Sequence, residues 1–284
     1  MRRVETGTWF VMPAILLLAA VTIFPIMDVV YLSLHRKLLI FGISEFTGLQ
    51  NYRFLLQDER FWRALSNTIY FTGLSVVLEV VLGLALALLM NRAFRGKGLV
   101  RALVLVPWAI PTVVSAKMWE WIYNGDFGVL NYLLGTKVNW LWDPFWALHA
   151  AIIMDVWKTT PFAAILLLAG LQLIPADLYS AARVDGAGPV RLFRYVTLPL
   201  LKPVILIVLI FRSLDAFRVF DAVYVLTGGG PANTTETLSV YAYKVLFQTL
   251  QIGYGSALAV TVFVCVGLIA TGYILLMGRK AGLR

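Results

Sequence analysis

The sequence predicts an all-α polytopic membrane protein with six transmembrane helices, both termini on the cytoplasmic side. Apolar residues make up 60% of the 284-residue chain and charged ones 14%, far from the composition of a soluble domain. Six largely apolar stretches each reach the length of about 20 residues that a helix needs to cross the hydrocarbon. The alternating segments of about ten residues that a membrane barrel requires are absent, and backbone groups in lipid must otherwise be satisfied inside helices.

The first span is placed near 9–32. It follows Arg2 and Arg3 and superficially resembles a signal peptide, but no convincing small-residue cleavage site follows and the apolar run continues through Phe24, so a retained span is expected. The second, near 66–90, carries a lone Glu79 that needs a partner on another helix. The third, near 99–122, contains Pro107 and Pro111, with Lys117 and Glu120 spaced for an ion pair near its outer end. The fourth, near 147–170, contains Asp155, Lys158 and Pro161; each of these prolines removes a helical N–H donor and is expected to kink its span or turn carbonyls toward a cavity. The fifth, near 201–226, carries Arg212, Asp215, Arg218 and Asp221, and the sixth, near 253–277, the single cysteine, Cys265. Residues 1–284 read as one transmembrane domain.

Orientation follows from the basic residues. With the N-terminus inside, thirteen lysines and arginines face the cytoplasm: Arg2, Arg3, Arg92, Arg95, Lys97, Arg101, Arg183, Arg191, Arg194, Lys202, Arg279, Lys280 and Arg284. Seven lie outside, namely Arg36, Lys37, Arg53, Arg60, Arg63, Lys137 and Lys244, so the bias favours N-in and C-in. These residues flank apolar segments rather than forming a stripe, which explains the net charge of +9 without a nucleic-acid partner.

Charges at bilayer depth cost several kcal/mol if unpaired, so they should face the bundle interior or a wet cavity. Asp215, Arg218 and Asp221 are spaced at intervals of three and can form one stripe on a helix, and Asp155 with Lys158 repeats the spacing. These five residues are the candidate wall of a solute pathway, where carboxylate and guanidinium groups hydrogen-bond hydroxyls. Ion pairs that only brace the helices are the competing reading.

Within the cytoplasmic loop at 171–200, residues 180–199 form a polar, basic island between apolar runs. Pro175 is placed to open a short helix on which Leu178, Ala181 and Ala182 share a face. Asp185 and Gly186 supply a bend, Pro189 opens a second helix with Leu192, Phe193 and Val196 on its apolar face, and Pro199 interrupts the backbone before the next span. This spacing resembles the loop of bacterial ABC importer permeases that reads Glu-Ala-Ala, three residues, Gly, nine residues, Ile, one residue, Leu-Pro. Ala181, Ala182, Gly186, Leu198 and Pro199 stand in register, Val196 takes the Ile position, and Ser180 replaces the Glu. The run from Gly228 to Pro231 breaks the fifth span, and Thr234–Thr237 is expected to restart a helix with Glu236 in its first turn. That segment resembles the Gly-Gly-Pro, Thr-Glu-Thr signature of carbohydrate-uptake permeases of the maltose, trehalose and glycerol-phosphate type.

The resemblance implies one permease subunit of an ATP-driven sugar importer working by alternating access in the cytoplasmic membrane of a prokaryote, on a di- or oligosaccharide such as trehalose or maltose. It implies a second, homologous permease subunit, two ATPase subunits and an extracytoplasmic solute-binding protein. It assigns Ser180, Ala181, Ala182, Asp185, Gly186, Leu198 and Pro199 to coupling with the ATPase. ATP and Mg belong to the partners: no Walker pattern occurs here, so no cofactor is expected on this chain. Only two histidines, His35 and His149, and one cysteine give no metal site and no nucleophile with a base, so an enzyme is not expected. The alternatives are a glycerol-phosphate importer permease and a self-sufficient secondary transporter using the intramembrane charges as an ion relay, which leaves the island at 180–199 unexplained.

Overall fold

The computed structural model describes residues 2–281, with side chains over 10–276; the terminal basic side chains of the charge count (Arg2, Arg3, Arg279, Lys280 and Arg284) lie outside the described side chains. The chain opens with α1 (Arg2–Ser33), an antiparallel hairpin of β1 (His35–Leu38) and β2 (Ile43–Phe46), α2 (Gln50–Gln57) and α3 (Glu59–Asn91). It continues through α4 (Lys97–Ala109), α5 (Thr112–Ile122), α6 (Val129–Leu134), α7 (Pro144–Gln172), α8 (Ala176–Val184) and α9 (Pro189–Leu192). After a π turn at Phe193–Thr197 come α10 (Leu198–Phe217), α11 (Asp221–Thr227), α12 (Leu238–Tyr243) and α13 (Ile252–Ala281). Among the described residues five helical segments are long and apolar enough to cross a membrane, and a sixth is added if the bent pair α4–α5 is one span.

Four sequence expectations are corrected. The third span is not one helix: α4 and α5 meet at 94°. Pro111 excludes the preceding residue from the helical region, and Ile110 is extended at ψ 133°. The fifth span ends at Phe217 rather than near 226, and the chain re-enters a helix only at Asp221. Pro199 does not interrupt the backbone, because Pro189–Phe217 is one helical run of 29 residues. The π turn just before it, with Leu198 N–H donating to Phe193 O, widens the helix where the proline ring would press on the carbonyl four residues back. The helix after the glycines restarts at Leu238, leaving Glu236 buried in the preceding turn. The hairpin at 35–46 is a further small departure from the all-α class; its β-prone Ile43 and Phe46 pair with Leu38 and His35.

The chain divides into two compact units. One holds the residues up to Trp62 with Tyr241–Val264. Here the Asn51 amide donates to the carbonyls of Ser33 (2.8 Å) and His35 (2.9 Å), closing the turn from α1 into the hairpin. Asp58, in the break between α2 and α3, accepts hydrogen bonds of 2.5 Å from the hydroxyls of both Tyr241 and Tyr254. Burial opposes its ionisation, but those two hydroxyls and the backbone N–H groups of Arg60 and Phe61 outweigh it and hold the carboxyl below the usual range.

The other unit holds Arg63–Val240 and the residues from Cys265 onward. Its axis is α7, 72% buried over its most apolar window, whereas that of α1 is 0% buried. Asp143 caps α7 by accepting from the N–H groups of Phe145 (2.9 Å) and Trp146 (3.0 Å), with Pro144 in the first turn. Two apolar clusters grip this helix. The first joins Ala151 and Met154 to Phe71 of α3, Ala116 of α5 and Val223 of α11; the second joins Ala163 and Leu167 to Ala87 of α3 and Leu201 of α10. Between them on α7 lie Asp155, Lys158 and Thr159. Where helices pack in lipid, close backbone approach counts for more than apolar area. Gly83 supplies it: a Cβ there would stand 2.9 Å from the Ala163 Cβ. The contact sets the register of α3 on α7, one turn from Glu79 and Thr159.

Candidate functional site

Asp155, Lys158 and Thr159 share one face of α7, at i, i+3 and i+4. Arg212 and Asp215 are one turn apart near the end of α10, and Glu79, fully buried, faces them from α3. Arg212 gathers the carboxylates. Its Nε donates to Glu79 Oε2 at 2.5 Å and its Nη2 to Oε1 at 3.1 Å, a bidentate pair, while its Nη1 donates to Asp215 Oδ2 at 2.6 Å. Asp155 Oδ2 lies 3.7 Å from Nη2 and is buried without a hydrogen bond. Thr159 Oγ1 is 2.8 Å from Glu79 Oε1 and 2.6 Å from the Asp155 carbonyl, so its one proton serves either acceptor. A buried guanidinium facing one carboxylate bidentately and two more at its flanks is the arrangement that makes ionised groups tolerable at this depth.

Asp155, Lys158, Thr159, Arg212 and Asp215 form one wall of a cavity of about 290 Å³, with Glu79 buried behind them, Trp108 and Thr112 from either side of the α4–α5 bend, and Arg218, Phe220 and Asp221 from the α10–α11 break. Lys158 bridges to the bend: its Nζ donates to the Ile110 carbonyl at 2.6 Å, satisfying an acceptor that the end of α4 would otherwise leave open. Both helix breaks therefore open onto the cavity, supplying irregular backbone where it lines a polar space.

All five predicted pathway residues line this cavity, but their pairing differs from the expected stripe. Asp215 and Arg218 approach to 3.8 Å as predicted. Arg218 and Asp221 make no ion pair among the described residues, because Arg218 caps α10 and Asp221 begins α11. Lys158 turns from Asp155 to the backbone of the bend. The predicted Lys117–Glu120 pair forms at 2.6 Å on an exposed face. Glu79 does find a partner helix, and with Arg212 it makes the centre of the network. Neither stood among the pathway candidates, although a lone acid in one span and a surplus arginine in another were signals that the two belong together.

The second candidate region lies at the opposite end of the Pro189–Phe217 run. α8 ends in a Schellman motif: Ala187 N–H donates to Ala182 O (2.9 Å) and Gly186 N–H to Arg183 O (3.0 Å). Gly186 sits at φ +77° with open space where a Cβ would be, so it is the left-handed backbone that calls for glycine there. Pro189 then opens α9, and the Tyr179 hydroxyl reaches Thr197 Oγ1 at 3.1 Å, tying the arms of the hook together. Ser180 bonds back to the Ala176 carbonyl (3.3 Å). Ala181, Asp185, Gly186 and Pro199 are exposed, and Ala182 and Leu198 are half-buried. Apolar side chains stand out along the hook, with Val184 87%, Val190 78% and Tyr195 70% exposed.

Residues 79–280 match a family model described as the binding-protein-dependent transport system inner membrane component. The chain is 44% identical over 269 residues to the trehalose/maltose transport system permease protein of Thermococcus litoralis, covering 93% of this chain and 91% of that protein. It is 46% identical to the trehalose transport system permease protein of Mycobacterium tuberculosis, over 95% of this chain and 88% of that one. It is 41% identical to the sulfoquinovosyl glycerol transport system permease protein of Agrobacterium fabrum, over 88% and 83%. A crystal structure of a bacterial ABC transporter involved in the import of the acidic polysaccharide alginate shares the fold, with a TM-score of 0.85 at 24% identity over 98% of this chain and 96% of that one. This chain is an integral membrane protein, a transport component rather than an enzyme, and it belongs to the binding-protein-dependent inner membrane components, the permease subunits of ABC importers.

Proposed function

We propose that this chain is the permease subunit of an ATP-driven importer that moves a sugar, a di- or oligosaccharide such as trehalose or maltose, across the cytoplasmic membrane of a prokaryote by alternating access. The relatives named for trehalose and maltose support the solute class. The chain acts as one transmembrane domain with N-in, C-in topology and six spans, α4 and α5 crossing as one bent span. It pairs with a second, homologous permease and two ATPase subunits that bind ATP and Mg, and receives solute from an extracytoplasmic binding protein.

The observation that carries this reading is the single helical run from Pro189 to Phe217. At 1.5 Å per residue its 29 residues span roughly 43 Å. Its first turns form the hook and its last turn carries Arg212 and Asp215 into the polar cavity. In the proposed mechanism Ser180, Ala181, Ala182, Asp185 and Gly186 seat the hook on an ATPase, and Leu198 and Pro199 carry its displacement into α10. Asp155, Lys158, Asp215, Arg218 and Asp221 line the route that the displacement opens. The test is uptake of labelled trehalose and maltose by proteoliposomes holding the whole transporter with its binding protein. Uptake that needs ATP inside and the ATPase subunits supports the reading. Uptake by this chain alone on a proton or sodium gradient overturns it.

A further inference from the structure

We infer that the external loops carry a second sugar site, which holds one ring of the disaccharide between Trp142 and the side-chain amides of Asn124 and Asn139. This rests on the reading that the chain transports a sugar with these loops outside. The site is a cavity of about 170 Å³ where the end of α5, the loop before α7 and the Gly230–Pro231 turn meet. Pockets that enclose a drug-sized ligand run to about 300–1,000 Å³, so this one takes one end of a disaccharide and leaves the other outside. Its lining has the chemistry that a pyranose needs. Trp142 is 79% exposed, leaving indole surface for the ring carbons. Asn124 uses its Oδ1 on the N–H groups of Asp126 (2.9 Å) and Phe127 (3.2 Å) and keeps its amide donors. Glu120 accepts from Lys117 on Oε2 and keeps Oε1 as an acceptor. The Asn139 amide, whose side chain has no hydrogen bond among the described residues, supplies a donor and an acceptor together. Sugar hydroxyls both donate and accept, so they match every one of these groups.

The walls are held in place before any ligand arrives. The buried Asn131 donates to the carbonyls of Gly125 and Val138 (both 2.9 Å) and accepts from Trp140 Nε1 (2.8 Å), joining the two sides of the loop. The Asn139 carbonyl accepts from the N–H groups of Trp142 (3.0 Å) and Asp143 (2.9 Å), which fixes the indole platform beside the amide. Gly125 leaves room for that amide: a Cβ there would stand 2.2 Å from Asn139 Oδ1. A preformed site of this kind loses less conformational freedom on binding. It is separate from the cavity around Arg212, although the same two helices connect them. α5 runs from Thr112 at the first cavity toward Tyr123 at the second, and α11 from Asp221 to Thr227; between them the fully buried Ala116 and Val223 close the seam. At 1.5 Å per residue the 7 residues of α11 set the two cavities roughly 10 Å apart. The outer site is therefore a first station for a solute whose onward path opens only when that seam parts.

The test uses the assembled transporter in lipid nanodiscs, this chain with its partner permease and ATPases, without ATP or binding protein. The probe is trehalose bearing a photoreactive diazirine, and labelled peptides are mapped by mass spectrometry. The expected result is labelling within residues 124–142 that excess free trehalose removes. At a fixed subsaturating concentration it should fall about tenfold in Trp142→Ala, the scale of a lost aromatic contact. Gly125→Ala should lower it several-fold by displacing the Asn139 amide; its φ lies outside the left-handed region, so this variant keeps the test decisive if Trp142→Ala fails to fold. Absence of label there, or label unchanged in both variants, overturns the outer site, including the case in which Trp142→Ala lowers only the melting point, as loss of a lipid anchor would. Label confined to the cavity lined by Asp155 and Asp215 leaves the sugar route standing and removes the outer site alone. Trehalose-sensitive label at neither cavity overturns both readings.

Discussion

The polar cavity and the hook lie on the same helical run, yet they satisfy their chemistry in opposite ways. Around Arg212 the partners come from within the chain: Glu79 is fully buried, and a guanidinium, three carboxylates and a threonine hydroxyl meet in one network. In the hook the backbone is closed by its own cap, but the side chains are left outward, Val184 and Val190 among them. The difference separates what this chain needs for folding from what it offers to another subunit. Damage to the first region should appear as lost stability, and damage to the second as lost coupling in a protein that still folds.

The largest expected effect comes from Arg212→Met. Removing one partner of a buried pair leaves the Glu79 carboxyl buried with Thr159 but without its cation, a loss of about 3–5 kcal/mol. Thermal melting of the purified transporter should show a marked drop, and adding Glu79→Gln should restore part of it. A melting point unchanged in the single variant would mean that the network is not structural.

Next in size is the double variant Val184→Asp with Val190→Asp. Both side chains are exposed, so melting should stay within the small range of surface substitutions, about 0.5 kcal/mol. Co-purification with the ATPase subunits should fall severely. A variant that loses stability but keeps its ATPase would reverse the contrast between hook and cavity.

Much of this contrast was legible in the sequence. The hook was legible in the island at 180–199 and in Pro175, Gly186 and Pro189, because helix starts and left-handed backbone are local properties. The need of Glu79 for a partner was legible from its solitude in an apolar span. The choice of partner was not, since it depends on how α3, α7 and α10 are rotated about one another. Pro111 announced a disturbance but not the 94° bend, nor that Lys158 would satisfy a carbonyl there instead of pairing with Asp155. The end of α10 at Phe217 has no proline or glycine to announce it. Val219 O there accepts from Thr237 Oγ1 (3.1 Å), a contact that exists only in the folded unit.

A smaller effect should come from Asp58, away from both regions. Its folded pKa lies below its unfolded value, so its contribution to stability is present above the unfolded pKa and is lost as pH falls through the folded one. Melting measured on acidification should therefore fall less steeply in Asp58→Asn than in the wild type over that window. Equal slopes would show that the two tyrosine hydrogen bonds contribute no pH-dependent stability. Smallest of all is Ser180→Ala, which removes only a bond to the helix's own backbone. Uptake should remain within about twofold, the scale of surface changes, whereas a severe loss would place residue 180 at the centre of a polar contact with the ATPase.

The most direct test of the link between hook and cavity is Gly186→Leu in proteoliposomes, with ATP hydrolysis and sugar uptake measured on the same preparation. A side chain at φ +77° strains the bend by about 1–2 kcal/mol and distorts the hook while leaving the Arg212 network untouched. The expected result is an unchanged melting point for the transmembrane unit, continuing ATP hydrolysis and uptake reduced by about tenfold or more, the scale of a 1.4 kcal/mol loss in coupling. Wild-type uptake per ATP hydrolysed in that variant would contradict it.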